Sequence, residues 1–362
     1  MERIGIDIDS ILDLVEDNPN ISDLHLSGGN FIAYRLNGDI VIEEKAGRLS
    51  NETLELFLKQ LFHGNPQRFN KFLGDKEADF AYMSKHGTPY RVNAFFKTGK
   101  IGLVMRKIAK KSKKLDELMF KHISDSIKNN VLNKDQGLFI ISGPTGSGKT
   151  TSIISMLEEI NTHQTKNIIS IEDPIEFIFN QNKCLISQRE VGNDTWSFKN
   201  ALKSAMREDP DIVFVGEIRD AETAEAVLNL AETGHLVFTT LHTSSASHTI
   251  SRFMSFFASD IQNGIAERLA HSLLGVMAQS LVKHAKGHTR VGVFELMLNT
   301  TSIKNNIKKF ELDQLDIILQ NPGTQNMISS KNYAQALLDS GIVKEENVER
   351  FLQTKGVVSN VE

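Results

Sequence analysis

Leu138-Phe139-Ile140-Ile141-Ser142, running directly into Gly143-Pro144-Thr145-Gly146-Ser147-Gly148-Lys149-Thr150, is the stretch that decides the fold. LFIIS is a short continuous apolar run, the pattern of a strand covered on both faces. GPTGSGKT satisfies the P-loop pattern, two glycines enclosing four residues and followed by Lys and Thr. A helix is predicted from Thr150 to Glu159. With a strand before and a helix after, Gly143, Gly146 and Gly148 let backbone N–H groups curl around phosphate at a helix N-terminus. Lys149 then reaches the β and γ phosphates. Thr150 offers its hydroxyl to Mg²⁺, which favours hard oxygen ligands. Thr151 continues the same phosphate-binding segment.

Downstream, NIISIED, DIVFVGE and HLVFTTL repeat the buried-strand signature, separated by helical segments at Phe198 to Arg207 and Ala221 to Ala231. Strands alternating with helices imply an α/β fold with a parallel sheet. After about Ser244 the pattern is mostly helical, with one further strand expected in TRVGVFELM.

Ligands of open α/β sheets bind at the carboxyl edge of the strands. Glu217 ends the run IVFVG at that edge and is the candidate general base or water-orienting group, a solvated strand-end acid being the plain alternative. In ISIEDPIEF, Glu172, Asp173 and Glu176 follow another apolar run, and Pro174 forces a turn. They are candidate organisers of Mg²⁺ and its water shell, although such a cluster also suits an ordinary polar loop. His242 leaves its strand at the same edge as Glu217, within reach of a γ-phosphate or of an acid holding water. His235 sits at the opposite end of that strand, where a structural role and a functional one are both open. His284 and His288 lie in a segment containing Lys and Gly and read as solvated, not metal-binding.

Before the P-loop the pattern differs. Ile8, Ile11, Leu12 and Val15, and then Leu54, Phe57, Leu58 and Leu61, predict two helices. LHLSGG, FIAYRLNGDIV, ADFAYM, YRVNAFF and IGLVMR predict strands of a small α+β unit. RKIAKKSKK, Arg106 to Lys114, reads as a solvated linker, with binding to an anionic surface as the alternative. The expected domains are 1–108, a linker at 109–116, an α/β P-loop domain at 117–300 and a helical region at 301–362.

Composition narrows the function classes. A chain of 362 residues exceeds the usual single domain, and a net charge of −4 argues against a general nucleic-acid coat. The single cysteine, Cys184, excludes a disulfide framework and a cysteine zinc site. MERIGIDIDSIL lacks the basic and apolar segments of a secretory signal, and the apolar run from Leu269 to Val282 is broken by His271, Ser272, Gln279 and Ser280. A cytoplasmic location is expected, with membrane association only through a partner.

GPTGSGKTT, IEDPIEF, REDPDIVFVGEIRDAET and TGHLVFTTLHTSSA, in this order and spacing, resemble the Walker A, aspartate, Walker B and histidine boxes of the secretion and type IV pilus ATPases. SDLHLSGG and GTQNMISS resemble the same family near the two ends. LAETGHLVF and LHTSSAS are similar to its retraction branch, the PilT and PilU type, whereas assembly ATPases typically carry LHTND and often a four-cysteine zinc site. The resemblance implies a RecA-like P-loop NTPase core, a smaller N-terminal α+β (PAS-like) domain and a helical C-terminal region. It further implies a homohexamer in which each N-terminal domain packs on a neighbouring core. The implied partners are a pilus platform protein of the inner membrane and a related accessory ATPase, with no nucleic acid. The implied function is Mg²⁺-dependent ATP hydrolysis that drives pilus retraction and twitching motility.

The same resemblance makes Arg91 in YRVNAFF and Arg106 in LVMRKI contacts to bound phosphate. A planar guanidinium grips two phosphate oxygens and stabilises charge developing during transfer. His242 and the acids after Ile171, Glu172 among them, would report nucleotide state. Two departures stand out. The family's AIRNLIRE is SIKNNIKK here, Ser302 to Lys309, and its FFP is FFA, ending at Ala258. Alternatives within reach of the same residues are a type II secretion or pilus-assembly ATPase and a non-hydrolysing, nucleotide-gated accessory ring. A nucleic-acid translocase is disfavoured by the lack of an aromatic-rich basic stripe.

Overall fold

Apolar residues spaced for one helix face and for alternating strands generate the first part of the chain. The computed structural model describes residues 7–18, 20–108, 111–287, 289–320 and 326–352. The start of MERIGIDIDSIL, positions 109 and 110 of the basic segment, His288, part of GTQNMISS and the last ten positions of the helical region lie outside the described residues. Two compact units are present. One contains the described residues up to Lys111 with Asp173–Ile178 and Glu190–Asp194; the other contains the remainder.

In the first unit, α1 (Ile8–Glu16) is followed by β1 (Ile21–Ser27), β2 (Phe31–Leu36), β3 (Asp39–Arg48), α2 (Asn51–Leu61), α3 (Pro66–Asp75), β4 (Glu77–Met83), β5 (Pro89–Lys97) and β6 (Lys100–Lys107). The strands form one sheet in the order β3-β2-β1-β6-β5-β4. Ile8, Leu12, Leu54, Phe57 and Leu58 join Leu24, Val92, Leu103 and Met105 in its core. FIAYRLNGDIV folds back on itself, because Asn37 and Gly38 have φ of 52° and 99° and make a tight hairpin of the type these residues favour. The sequence reading lacks α3. Only Phe72 of that helix is buried, so its apolar periodicity is thin, and its start is set by Asn65, whose side chain accepts from the N–H groups of Gln67 and Arg68.

In the second unit, α4 (Leu115–Leu118) and α5 (Lys121–Ile127) precede β7 (Gly137–Ser142), α6 (Lys149–His163), β8 (Asn167–Glu172), β9 (Leu185–Glu190) and α7 (Phe198–Ala205). Then come β10 (Ile212–Val215), α8 (Ala221–Glu232), β11 (Leu236–Leu241), α9 (Ala246–Met254), α10 (Gln262–Ser272), β12 (Leu273–Lys283) and β13 (Arg290–Leu298). The helices α11 (Thr301–Lys308), α12 (Asp313–Gln320), α13 (Ser330–Asp339) and α14 (Glu345–Leu352) complete it. The seven strands lie in the order β13-β12-β7-β11-β10-β8-β9. β7, β10 and β11 are buried at every position, which explains their unbroken apolar sequences.

Parallel pairing aligns the strand ends. Ser142 lies opposite Leu241, and Val215 lies opposite both Thr239 and Ile171. The residues that follow β7, β8, β10 and β11 therefore leave from one edge of the sheet.

β12 corrects the expectation of a mostly helical region with a single strand after Ser244. It begins at the residue after α10 with no turn between them, and polar Gln279 interrupts its apolar run. It pairs in parallel with β7 and antiparallel with β13. No described helix is long and apolar enough to cross a membrane.

At Gly275 β12 and β13 approach closely, since a Cβ there would lie 2.4 Å from the carbonyl oxygen of Met297. Gly275→Ala is expected to cost about 1–3 kcal/mol through the forced shift. Thermal denaturation followed by circular dichroism reads this as a lowered Tm, and an unchanged Tm would show that the two strands are not packed this way.

Candidate active site

The site grows from the junction of β7 and α6. Gly143 must be glycine, because a Cβ would meet the carbonyl oxygen of Gln279 at 2.3 Å. Gly146 and Gly148 have φ of 74° and 89°, the left-handed region open to glycine at no steric cost. Gly148 is also the N-cap of α6, and no side chain caps that helix. The first-turn N–H groups of a 15-residue helix thus face an anion-binding position without a competing side chain. Ser147 and Lys149 are buried, whereas Pro144, Thr145, Gly146 and Thr151 are exposed and Gly148 and Thr150 are half-buried. This donor set fits a chain of phosphates, and Thr150 places a hydroxyl in the first turn, where a hard cation would find an oxygen ligand.

Lys149 anchors a line of polar groups. Its Nζ donates to the carbonyl oxygens of Gly143 at 2.7 Å and Pro144 at 3.3 Å, and it lies 3.4 Å from Nδ1 of His242. Nε2 of His242 is 3.1 Å from Oε2 of Glu217. An ammonium beside Nδ1 and a carboxylate beside Nε2 favour the tautomer in which Nδ1 accepts and Nε2–H donates. Arg219 pairs with the other oxygen of Glu217. The loop carrying Glu217 is pinned at both ends. Gly216 N–H donates to Ile171, Thr240 Oγ1 donates to the Gly216 carbonyl, and Asp220 caps α8 through the Thr223 N–H.

The three acids of ISIEDPIEF have different surroundings. Glu172 is buried and accepts from Ser170 Oγ at 2.7 Å and Gln188 Nε2 at 3.2 Å. Asp173 is exposed, and Glu176, in the first unit, pairs with Arg91 at 2.9 Å. Among the described residues no group of three or more His, Cys, Asp or Glu side chains is placed to hold a metal ion. Glu172 and Glu176 are thus each already engaged by protein donors.

Arg91 and Arg106 lie directly opposite each other on β5 and β6. Arg106 Nε donates to Asp23 at 2.6 Å. Burial pushes the Asp23 carboxyl up, but the Ser22 hydroxyl and the Arg106 guanidinium outweigh it and hold the group below its ordinary range. His235 caps the end of α8, its Nδ1 lying 3.0 Å from the Leu230 carbonyl oxygen, far along β11 from His242. His284 Nδ1 accepts from the Lys286 N–H in a local turn.

Three buried polar residues escaped the sequence reading. Gln279 on β12 donates to the Ser147 carbonyl at 2.8 Å, bracing the glycine loop from the neighbouring strand. Its Oε1, like the Ser147 hydroxyl, is buried without a partner among the described residues. Glu295 on β13 accepts from the Ala246 N–H at 2.8 Å. In the first unit, Glu190 accepts from the N–H groups of Ala81 and Ile175, and so braces the segment that carries Glu176. For Gln279 and Glu295 the signal in the sequence is a polar residue inside an apolar run, whereas Glu190 lies in the polar stretch SQRE.

A glycine loop at a helix N-terminus, a buried lysine and a glutamate–histidine pair on adjacent strand ends define a P-loop protein with an α/β core. The family model for Type II/IV secretion system proteins matches residues 84–360, and the chain belongs to that family. It is 38% identical to the type IV pilus retraction ATPase PilT of Pseudomonas aeruginosa over 90% of this chain and 92% of that protein. Identity to the type IV pilus ATPase PilU of the same organism is 35%, over 87% of this chain and 80% of that protein. The solved structure of the pilus retraction motor PilT with bound ADP superposes with a TM-score of 0.85 at 32% identity, covering 97% of this chain and 98% of that one.

Glu190 supplies a stability test. Burial raises its carboxyl from the ordinary 4.5 to about 7, against the lowering effect of the Ile175 and Ala81 amides and Arg68. The folded protein then holds a proton that the unfolded chain has released, so this group favours folding most at low pH and loses that contribution as pH rises through about 7. Glu190→Gln is expected to remove about 3 kcal/mol of this pH dependence. Urea denaturation of both proteins at acid and mildly alkaline pH checks it, and parallel slopes would refute the assignment.

Proposed function

We propose that the chain is a Mg²⁺-dependent ATPase motor that retracts a type IV pilus. The observation that carries the reading is the continuous line Lys149–His242–Glu217 at the carboxyl edge of a parallel sheet, beside an uncapped helix N-terminus. The names of the similar proteins, a pilus retraction ATPase and a retraction motor holding ADP, support the same assignment.

Lys149 and the loop N–H groups bind the phosphates of ATP, and Mg²⁺ is held through the Thr150 hydroxyl. The ion, when bound, neutralises phosphate charge. Glu217, oriented by Arg219 and His242, positions the attacking water and takes its proton. His242 is placed to sense whether the γ-phosphate is present, since it contacts both the phosphate-gripping lysine and the acid that holds water. Arg91 and Arg106, as the resemblance implies, supply charge to the transferring phosphoryl group. Glu172, buried on Ser170 and Gln188, shapes the edge of β8 and is not assigned to the metal.

The second unit is read as a RecA-like core and the first as a PAS-like domain. Six copies form a ring that works in the cytoplasm against a platform protein of the inner membrane, with a related accessory ATPase as a further partner. Differential affinity for nucleotide between open and closed protomers converts hydrolysis into motion.

Phosphate release by wild type, Lys149→Ala and Glu217→Gln tests the enzyme. Each substitution is expected to slow turnover by about 10²–10⁴-fold, the usual worth of such groups. Equal rates in all three would refute hydrolysis at this site. Gene deletion tests direction of work: excess immobile surface pili are expected, and bald cells would instead indicate an assembly motor.

A further inference from the structure

We propose that Glu295 is a positioning residue that fixes the loop carrying His242 and ties it to the helices after β13. The inference rests on the reading above, in which His242 belongs to the hydrolytic site.

Glu295 occupies an unexpected place. Its neighbours on β13, Val293, Phe294, Leu296 and Met297, are all buried apolar residues, and Glu295 itself is only 7% exposed. Burying a carboxylate is costly unless donors are supplied, and here two backbone N–H groups supply them. Oε1 accepts from Ala246 at 2.8 Å and Oε2 from Ser330 at 3.4 Å. Ala246 and Ser330 are the first residues of α9 and α13, whose N-caps are Ser245 and Ser329. One carboxylate therefore meets the positive ends of two helices, an arrangement that helix dipoles favour. A bridge between Leu296 and Ile328 holds the segment entering α13 beside it. Burial raises the carboxyl above its ordinary range, opposed by the same two amides.

From Ala246 the connection to the site is short. Thr243, Ser244 and Ser245 alone separate it from His242. One turn into α9, Thr249 Oγ1 donates to Ser142 Oγ at 2.9 Å and lies 2.7 Å from Thr243 Oγ1. Ser142 is the last residue of β7, immediately before Gly143. The loop from His242 to α9 is thus fastened at Glu295 on one side and at the start of the glycine loop on the other. Removing Glu295 frees the first end only. His242 then loses its fixed placement against Glu217, while the phosphate grip of Lys149 and the α6 amides stays intact. Displacement of α13 would reach His242 by the same path.

The test compares Glu295→Ala, Glu295→Gln and Ala246→Pro in the full-length protein. Proline is tolerated at the first helical position, and Ser245, with φ −147° and ψ 165°, already has the extended backbone that a following proline requires. Ala246→Pro thus deletes the donor and leaves the carboxylate. Steady-state phosphate release gives kcat, and a fluorescent ADP analogue gives nucleotide affinity. Glu295→Ala and Ala246→Pro are each expected to lower kcat about tenfold, as a small misplacement of a working group does, with affinity within about twofold of wild type. Glu295→Gln keeps an acceptor for Ala246 and is expected to retain most of kcat. The double variant should be no slower than either single one, because both break one bond. Wild-type kcat in folded Glu295→Ala, multiplying effects in the double variant, or a parallel loss of affinity would overturn the inference. Should Glu295→Ala fail to fold, Glu295→Gln and Ala246→Pro decide by the same criteria. An inactive wild type would instead refute the functional reading itself.

Discussion

The register between β7 and β11 is the constraint on which the site depends. Ser142 stands opposite Leu241, so the next residues of the two strands, Gly143 and His242, leave the sheet side by side. Because both strands are buried on both faces, a slip of one residue would turn every side chain over and part the lysine from the histidine. β10 sits one strand further on, pairing with β11 so that Glu217 emerges beside the same edge. Gly143, Glu217 and His242 are thus placed by strand pairing, before any loop contributes.

Loops then refine what the sheet places. Asp220 caps α8 and Thr240 holds Gly216, so the short segment with Glu217 has little freedom. Gln279 reaches from β12 to the carbonyl of Ser147 and braces the glycine loop. The Ser147 hydroxyl and Gln279 oxygen, without partners among the described residues, lie at this same point, where the backbone is packed too closely for any residue but glycine at 143. Buried carboxylates at Glu190 and Glu295 serve a related purpose in the two units. Each spends desolvation to collect backbone donors from segments distant in sequence, which fixes those segments relative to one another.

Much of the fold is legible in the sequence wherever one period dominates. LFIIS, NIISIED, DIVFVGE and HLVFTTL are strands because full burial leaves an unbroken apolar run, and the glycine pattern after the first locates α6. β12 is illegible for the opposite reason: it joins α10 without a turn, and the glutamine that supports the P-loop disguises its apolar character. α3 buries a single large side chain, too few to set a period. At the site, motif spacing suggests which residues approach one edge, but not which carboxylate is already spoken for. Glu172 and Glu176 look alike beside Pro174, yet one is turned onto Ser170 and Gln188 and the other onto Arg91. Pairings between residues far apart in the chain, such as Glu295 with Ala246, leave no trace in local pattern.

The central claim is that His242 joins the lysine that grips phosphate to the acid that holds water. Single-turnover hydrolysis by His242→Ala, with binding of a fluorescent ADP analogue measured in parallel, addresses it most directly. The account predicts affinity within about threefold of wild type and hydrolysis slowed by about 100-fold, since the lost group orients the reaction and leaves the phosphate grip in place. Hydrolysis at the wild-type rate would contradict it.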